Sequence, residues 1–251
     1  MPGGALAVPK GDEVVPVINR LAAGFANAVL TQDWHPRDHI SFAVSHGRQP
    51  FETTRLAYGD QVLWPPHCVQ GTKGAQLHAE LDVPQAQLVI RKGHHREIDS
   101  YSAFVEADRK TSTGLAGYLR ERGLTDLYVC GLATDFCVAW TALDGRAAGF
   151  DVTVIEDACR AIDLDGSLAR AWSEMQRTGV KRATSCFACG EVNSPDSRFC
   201  KFCGRPLLRP DERPSVAQDP RNRFLLWLVL ILLVACAVFG IFGLLTSKVL
   251  R

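Results

Sequence analysis

The stretch "LYVCGLATDFCVAWTALDGRAAGFDVTVIEDACRA" constrains this chain more than any other. "LYVCG" is a short apolar run that reads as a strand. A turn of small residues follows, then "ATDFCVAWTALDGRAAGF", whose apolar residues fall on one face of a helix. "AAGFD" supplies the next turn, and "VTVIEDACRA" opens a second strand. The same alternation runs through the first part of the chain. Strands are expected over 27–32, 87–91, 126–130 and 151–155, and helices over 12–25, 111–122, 136–148 and 165–178. Strands alternating with helices imply an α/β fold, a doubly wound, mostly parallel sheet covered on both faces.

The turn delivers Cys137 to the start of a helix, where backbone N–H groups and the positive end of the dipole favour a thiolate. An inert, buried thiol is the ordinary alternative. Three other segments weigh against it. In "TQDWHPRDH", after the strand "NAVL", Asp33 and His35 are two apart and point to one side of an extended segment. A carboxylate beside an imidazole suits a borderline divalent ion. In "WPPHCVQGTKGAQLH", two prolines and Trp64 fix a loop that carries His67, a third ligand that leaves positions open for water and substrate. His39 is a fourth or outer ligand candidate, whereas His46, His78, His94 and His95 read as solvated loop residues. Lys92 ends the strand "LVIRK", at the sheet edge where open α/β proteins place their sites. Near a thiol its charge favours the thiolate.

These strings, with "GGALAVPKGD", "SFA", "DSYSAF" and "EDACRA", run in order from Gly3 to about Ala183. With them the chain resembles the nicotinamidases, within the isochorismatase-like cysteine hydrolases. The resemblance implies Cys137 as nucleophile and Lys92 as catalytic lysine. It implies a divalent ion (Zn, Fe or Mn) on Asp33, His35 and His67, with His39 as an additional ligand. It implies a cis peptide between Leu132 and Ala133, and an oxyanion hole formed by the amides of Ala133 and Cys137. Trp64 and Tyr101 would wall the substrate ring or pack in the core. The activity implied is hydrolysis of nicotinamide to nicotinate and ammonia through a thioester, in NAD salvage. An amidase for another small carboxamide, such as pyrazinamide, is the second enzyme reading, and the metal-ligand pattern favours nicotinamide.

In the family a further aspartate, the general base and acid, lies on a strand upstream of "GGALAVP". The sequence opens at "MPGGALAVP", so the first central strand is expected to be missing and the triad incomplete as written. An upstream start or a natural truncation would account for it. A non-catalytic nicotinamide- and metal-binding or scaffold protein is therefore the alternative function. Asp12 is expected to cap the first helix, and Asp135 to hold the turn before Cys137; neither they nor Asp38 occupy the base position.

The 251 residues, a net charge of +1 and 47% hydrophobic content suit one α/β domain (1–184) with appendages, and argue against electrostatic nucleic-acid binding. No N-terminal signal peptide is read. From Ser185 the composition shifts. "CFACGEVNSPDSRFCKFCGRPL" holds two C-x-x-C pairs, Cys186/Cys189 and Cys200/Cys203, each followed by glycine. Four thiolates so spaced fit structural Zn²⁺ in a zinc ribbon over 185–208, folded mainly by its metal and able to dock a protein partner. Residues 209–223 read as a linker. Residues 224–245, "FLLWLVLILLVACAVFGIFGLL", carry no charge and are long enough to cross a hydrocarbon core of about 30 Å. More arginines precede than follow this run, so a single-pass C-terminal anchor with a cytoplasmic catalytic domain is expected.

Overall fold

The computed structural model describes residues 1 and 3–207; the expected linker and transmembrane helix lie outside the described residues. Among the described residues no helix is long and apolar enough to cross a membrane. The order is α1 (Val14–Ala22), β1 (Ala28–Asp33), a hairpin of β2 (Thr53–Leu56) and β3 (Gly59–Val62), β4 (Ala86–Lys92), α2 (Leu115–Glu121), β5 (Asp126–Leu132), α3 (Ala139–Ala147), β6 (Asp151–Arg160), α4 (Ser167–Arg177), β7 (Lys181–Ser185) and β8 (Val192–Asn193). β1 pairs with β4, β5 with β6 and β6 with β7, all parallel; β8 adds antiparallel to β7.

β6 shows why the sheet is covered twice. Its side chains alternate between faces, with a register shift between Val154 and Cys159. Val152 and Val154 pack with Leu115 and Leu119 of α2, Ala139 and Ala142 of α3 and Met175 of α4. Ile155 and Ala158 pack with Val17 and Leu21 of α1 on the other side. This is the expected double winding.

The sheet nevertheless comes in two pieces. Among the described residues no strand pairs with the second edge of β1 or of β5. Val29–Asp33 and Leu127–Leu132 instead line one cavity of about 1490 Å³, which also reaches Cys137. The cavity thus forms a slot between the two pieces of the sheet.

Several expectations are corrected. Asp12 caps nothing: it lies inside a single 3₁₀ turn (Gly11–Glu13), and α1 starts without a side-chain cap. The helix expected from 111 starts only at Leu115, because Gly114 precedes it with φ +88. Residues Thr134–Val138 form a wide π turn, and α3 begins at Ala139. β6 runs past 155 to Arg160, since Asp157 is buried and accepts the Ser185 N–H at 2.7 Å. The β2–β3 hairpin, β7 and β8 were not foreseen. β7 spans the expected 184/185 boundary, so the cysteine-rich segment grows directly from the sheet.

Candidate active site

The carboxyl ends of β1 and β4 build the centre. Their register sets Asp33 opposite Lys92, and Lys92 Nζ donates to Asp33 Oδ1 at 2.6 Å. The chain turns directly after Lys92 at Gly93, with φ +58; a Cβ there would lie 2.4 Å from the His35 ring, so only glycine fits. The Gly93 carbonyl then accepts from His35 Nδ1 at 3.0 Å, and the Pro65 carbonyl from His67 Nδ1 at 2.8 Å. A carbonyl only accepts, so both Nδ1 atoms carry the proton and both Nε2 lone pairs stay free. Asp33, His35 and His67 each offer a ligand atom within 4.8 Å of the others. One carboxylate and two imidazoles so oriented fit a borderline divalent ion with positions left open. His39 lies against them, its ring 4.4 Å from that of His35. Both of its nitrogens are engaged, Nδ1 with Ser41 Oγ at 2.7 Å and Nε2 with the Ile98 carbonyl at 3.2 Å.

The charges are set by burial and by this pairing. Burial would raise Asp33, but Lys92 and then His35 outweigh it and hold the carboxyl at about 2. Burial pushes His35 down to about 4 against the pull of Asp33 and Asp99. Burial opposes the charge on Lys92, yet Asp33 and Cys137 keep its pKa above the usual lysine value. The Cys137 thiol is pushed up to about 11 by burial, with the Lys92 charge pulling the other way. Lys92 thus favours the thiolate as expected, but it is already matched by Asp33, and Cys137 lies in a π turn rather than at a regular helix start, so burial outweighs its pull.

Around the sulfur, the Leu132–Ala133 peptide is cis, as expected. The Ala133 carbonyl accepts from Phe136 and Val138 N–H, both at 3.1 Å. Asp135 holds the turn from behind, accepting from the Ile162 and Asp163 amides and from Ser167 Oγ. Trp64 Nε1 donates to Tyr101 Oη at 2.9 Å, and both residues line the cavity. Three residues there were missed by sequence reasoning. Phe136 meets Trp64 edge-on at 4.9 Å; its place beside Cys137 was the available signal. Gln61 donates to Tyr101 Oη at 3.0 Å and to buried Asp99 at 2.8 Å. Gln61 sits on the unforeseen hairpin, and nothing in its sequence marked it.

The four cysteines form a second cluster. Cys186 Sγ lies 3.7 Å from Cys203 Sγ, and Cys189 Sγ 3.7 Å from Cys200 Sγ. Tetrahedral zinc with Zn–S bonds near 2.3 Å needs sulfurs about 3.8 Å apart. The two knuckles repeat one geometry. Gly190 N–H donates to the Cys186 carbonyl at 2.8 Å and Gly204 N–H to the Cys200 carbonyl at 2.9 Å. Backbone N–H groups of Ala188 and Cys189 point at the Cys186 sulfur, and those of Phe202 and Cys203 at the Cys200 sulfur.

The Isochorismatase domain family matches residues 2–186. The chain is 63% identical over 185 residues to the nicotinamidase of Acinetobacter baylyi, covering 73% of this chain and 86% of that protein. Its fold is similar to the yeast nicotinamidase Pnc1p bound to the inhibitor nicotinaldehyde, with 28% identity, a TM-score of 0.68, and 73% of this chain and 93% of that one covered. It is also similar to the pyrazinamidase of Pyrococcus horikoshii in complex with zinc, with 36% identity, a TM-score of 0.60, and 73% and 92% covered. The chain belongs to the isochorismatase family.

Proposed function

We propose that the protein hydrolyses nicotinamide to nicotinate and ammonia through a thioester on Cys137, a step of NAD salvage. The observation that carries this reading is one cavity that brings together Cys137, the Asp33–His35–His67 cluster and the aromatic walls Trp64, Tyr101 and Phe136. The nicotinamidase at 63% identity supports it, as does the inhibitor on the yeast relative. Nicotinaldehyde offers an electrophilic carbon without a leaving group, which suits capture by a thiol.

Asp33, His35 and His67 would hold a divalent ion (Zn, Fe or Mn), which supplies a Lewis acid for the pyridine nitrogen; the pyrazinamidase solved with zinc supports this. His39, with both nitrogens engaged, backs the ligands rather than joining them. The Cys137 sulfur attacks the carboxamide carbon, and its proton passes through cavity water to the carboxamide nitrogen as the bond forms. Lys92 stabilises the negative charge on sulfur. The Ala133 and Cys137 amides donate to the oxyanion, a contribution worth about 3–4 kcal/mol of barrier. The C–N bond breaks, ammonia leaves with the added proton, and water hydrolyses the thioester to nicotinate and a free thiol.

Lys92 is already protonated and Asp33 is held at about 2, so neither takes the thiol proton. Among the described residues no carboxylate is hydrogen-bonded to Cys137, and the slot between β1 and β5 belongs to the same cavity. That slot favours a second reading, binding of nicotinamide without turnover. Metal-loaded full chain mixed with nicotinamide separates the two. Ammonia release that is lost in Cys137→Ala supports hydrolysis; calorimetric binding without ammonia supports the second reading.

We likewise propose a structural zinc on Cys186, Cys189, Cys200 and Cys203, supported by the sulfur spacings. From the sequence, 209–223 is proposed as a linker and 224–245 as a single-pass anchor that keeps the hydrolase domain in the cytoplasm. Fractionation of the full chain, with protease access from each side of the membrane, tests the anchor.

A further inference from the structure

Outside the cavity, one buried charge has an unusual set of partners. Glu106 follows the "DSYSAF" loop, and its side chain is only 2% exposed. A buried carboxylate needs a cation or several donors. Among the described residues Glu106 pairs with no lysine or arginine: its two oxygens lie 3.0 and 2.9 Å from His95 Nδ1, and one lies 3.8 Å from His94 Nδ1. The two imidazoles are half exposed, at 46% and 47%, with ring centroids 4.0 Å apart. Neighbouring side chains on a strand would point apart. Here the chain has left β4 and turned at Gly93, so both rings face the same carboxylate. As expected, both histidines lie on a solvated loop, with an Nδ1 of each turned to this carboxylate.

We propose that His94, His95 and Glu106 form a further divalent-cation site, separate from the catalytic cluster and from the four cysteines. One ligand atom from each residue lies within 4.8 Å of the other two. An ion bonded at about 2.1 Å to nitrogen and oxygen in tetrahedral geometry sets such atoms about 3.4 Å apart. Measured to the same oxygen, Oε1, the observed 3.0 Å from His95 Nδ1 and 3.8 Å from His94 Nδ1 straddle that value. Two imidazoles and one carboxylate select borderline ions such as Zn²⁺ over Mg²⁺ or Ca²⁺. The ion takes the Nδ1 lone pairs and one carboxylate oxygen, and the proton now between His95 and Glu106 goes to solvent. The exposed edges of both rings leave an entry path and room for water as the remaining ligand. An ion here would tie the segment after Gly93 to the loop carrying Glu106, close behind the carbonyl that orients His35.

The test is a zinc count on the full chain and on a His94→Ala/His95→Ala variant, both equilibrated with the same free zinc and analysed by elemental mass spectrometry. Both histidines are exposed and lie outside the catalytic machinery, but the double variant leaves buried Glu106 without its imidazole partners, so Glu106→Gln, which keeps both histidines and removes the carboxylate, is counted beside it and should lose the same zinc equivalent. The parent should hold one zinc equivalent more than the variant. Crystals of the parent should show anomalous scattering at the zinc edge between His94, His95 and Glu106. Equal zinc counts, with no anomalous peak at Glu106, would overturn the proposal. Neither readout depends on hydrolysis.

Discussion

At the scale of single residues, the site works through one ion pair and one thiol. Lys92 is buried and bonded to Asp33 at 2.6 Å, so it holds charge and does not shuttle protons. Lys92→Ala removes the cation next to both Asp33 and Cys137; turnover should fall at least ~100-fold, read as kcat/KM. The Cys137 thiol, at about 11, gives a pH prediction for the metal-free protein. Its thiolate fraction grows as pH rises towards that value. Iodoacetamide alkylation of Cys137 should therefore rise about tenfold per pH unit from neutrality and level off near 11. A rate already level at pH 7 would mean a resting thiolate. Phe136→Ala should raise KM about tenfold with a smaller change in kcat, because it removes ring contact and not chemistry. The residues proposed as nucleophile, lysine and metal ligands stand out in sequence because each sits in a short string next to a strand end or, for His67, on a proline-fixed loop. Asp99 and Gln61 do not, since a buried polar pair has meaning only once its partner across the fold is known.

At the scale of elements, β1, β4, β5 and the start of β6 were legible with their helices from apolar runs and turn residues, whereas parallel β7 was not. The misses share one cause: tertiary partners decided them. β6 keeps Asp157 in a strand because the Ser185 amide meets its carboxylate. β2 and β3 carry few apolar residues, so periodicity was silent about them. The cysteine knuckles were legible as a motif, but their attachment to the sheet through β7 and β8 was not. That attachment has a consequence for stability. On the proposed structural zinc, removing the metal from the four cysteines would cost β8 its anchor and open the β7 edge. Cys200→Ser/Cys203→Ser should lower Tm by several degrees even with the catalytic metal present, and added zinc should not restore it. An unchanged Tm would mean that the knuckles hold without metal.

For the molecule as a whole, the two-piece sheet is the dominant feature. β1 and β5 carry backbone donors and acceptors on edges that face the cavity, whereas β6 is paired on both sides. Unpaired edge amides open easily. Hydrogen exchange should be faster at the slot-facing amides of β1 and β5 than along β6; equal protection would show that a further segment fills the slot. The central claim remains covalent catalysis at Cys137. It is tested most directly by acid-quenching metal-loaded full chain during incubation with nicotinamide and mapping adducts by peptide mass spectrometry. A nicotinoyl group on the peptide containing Cys137, formed while nicotinate accumulates, is the predicted result. Nicotinate released with no adduct on Cys137, and undiminished in Cys137→Ala, would contradict the account.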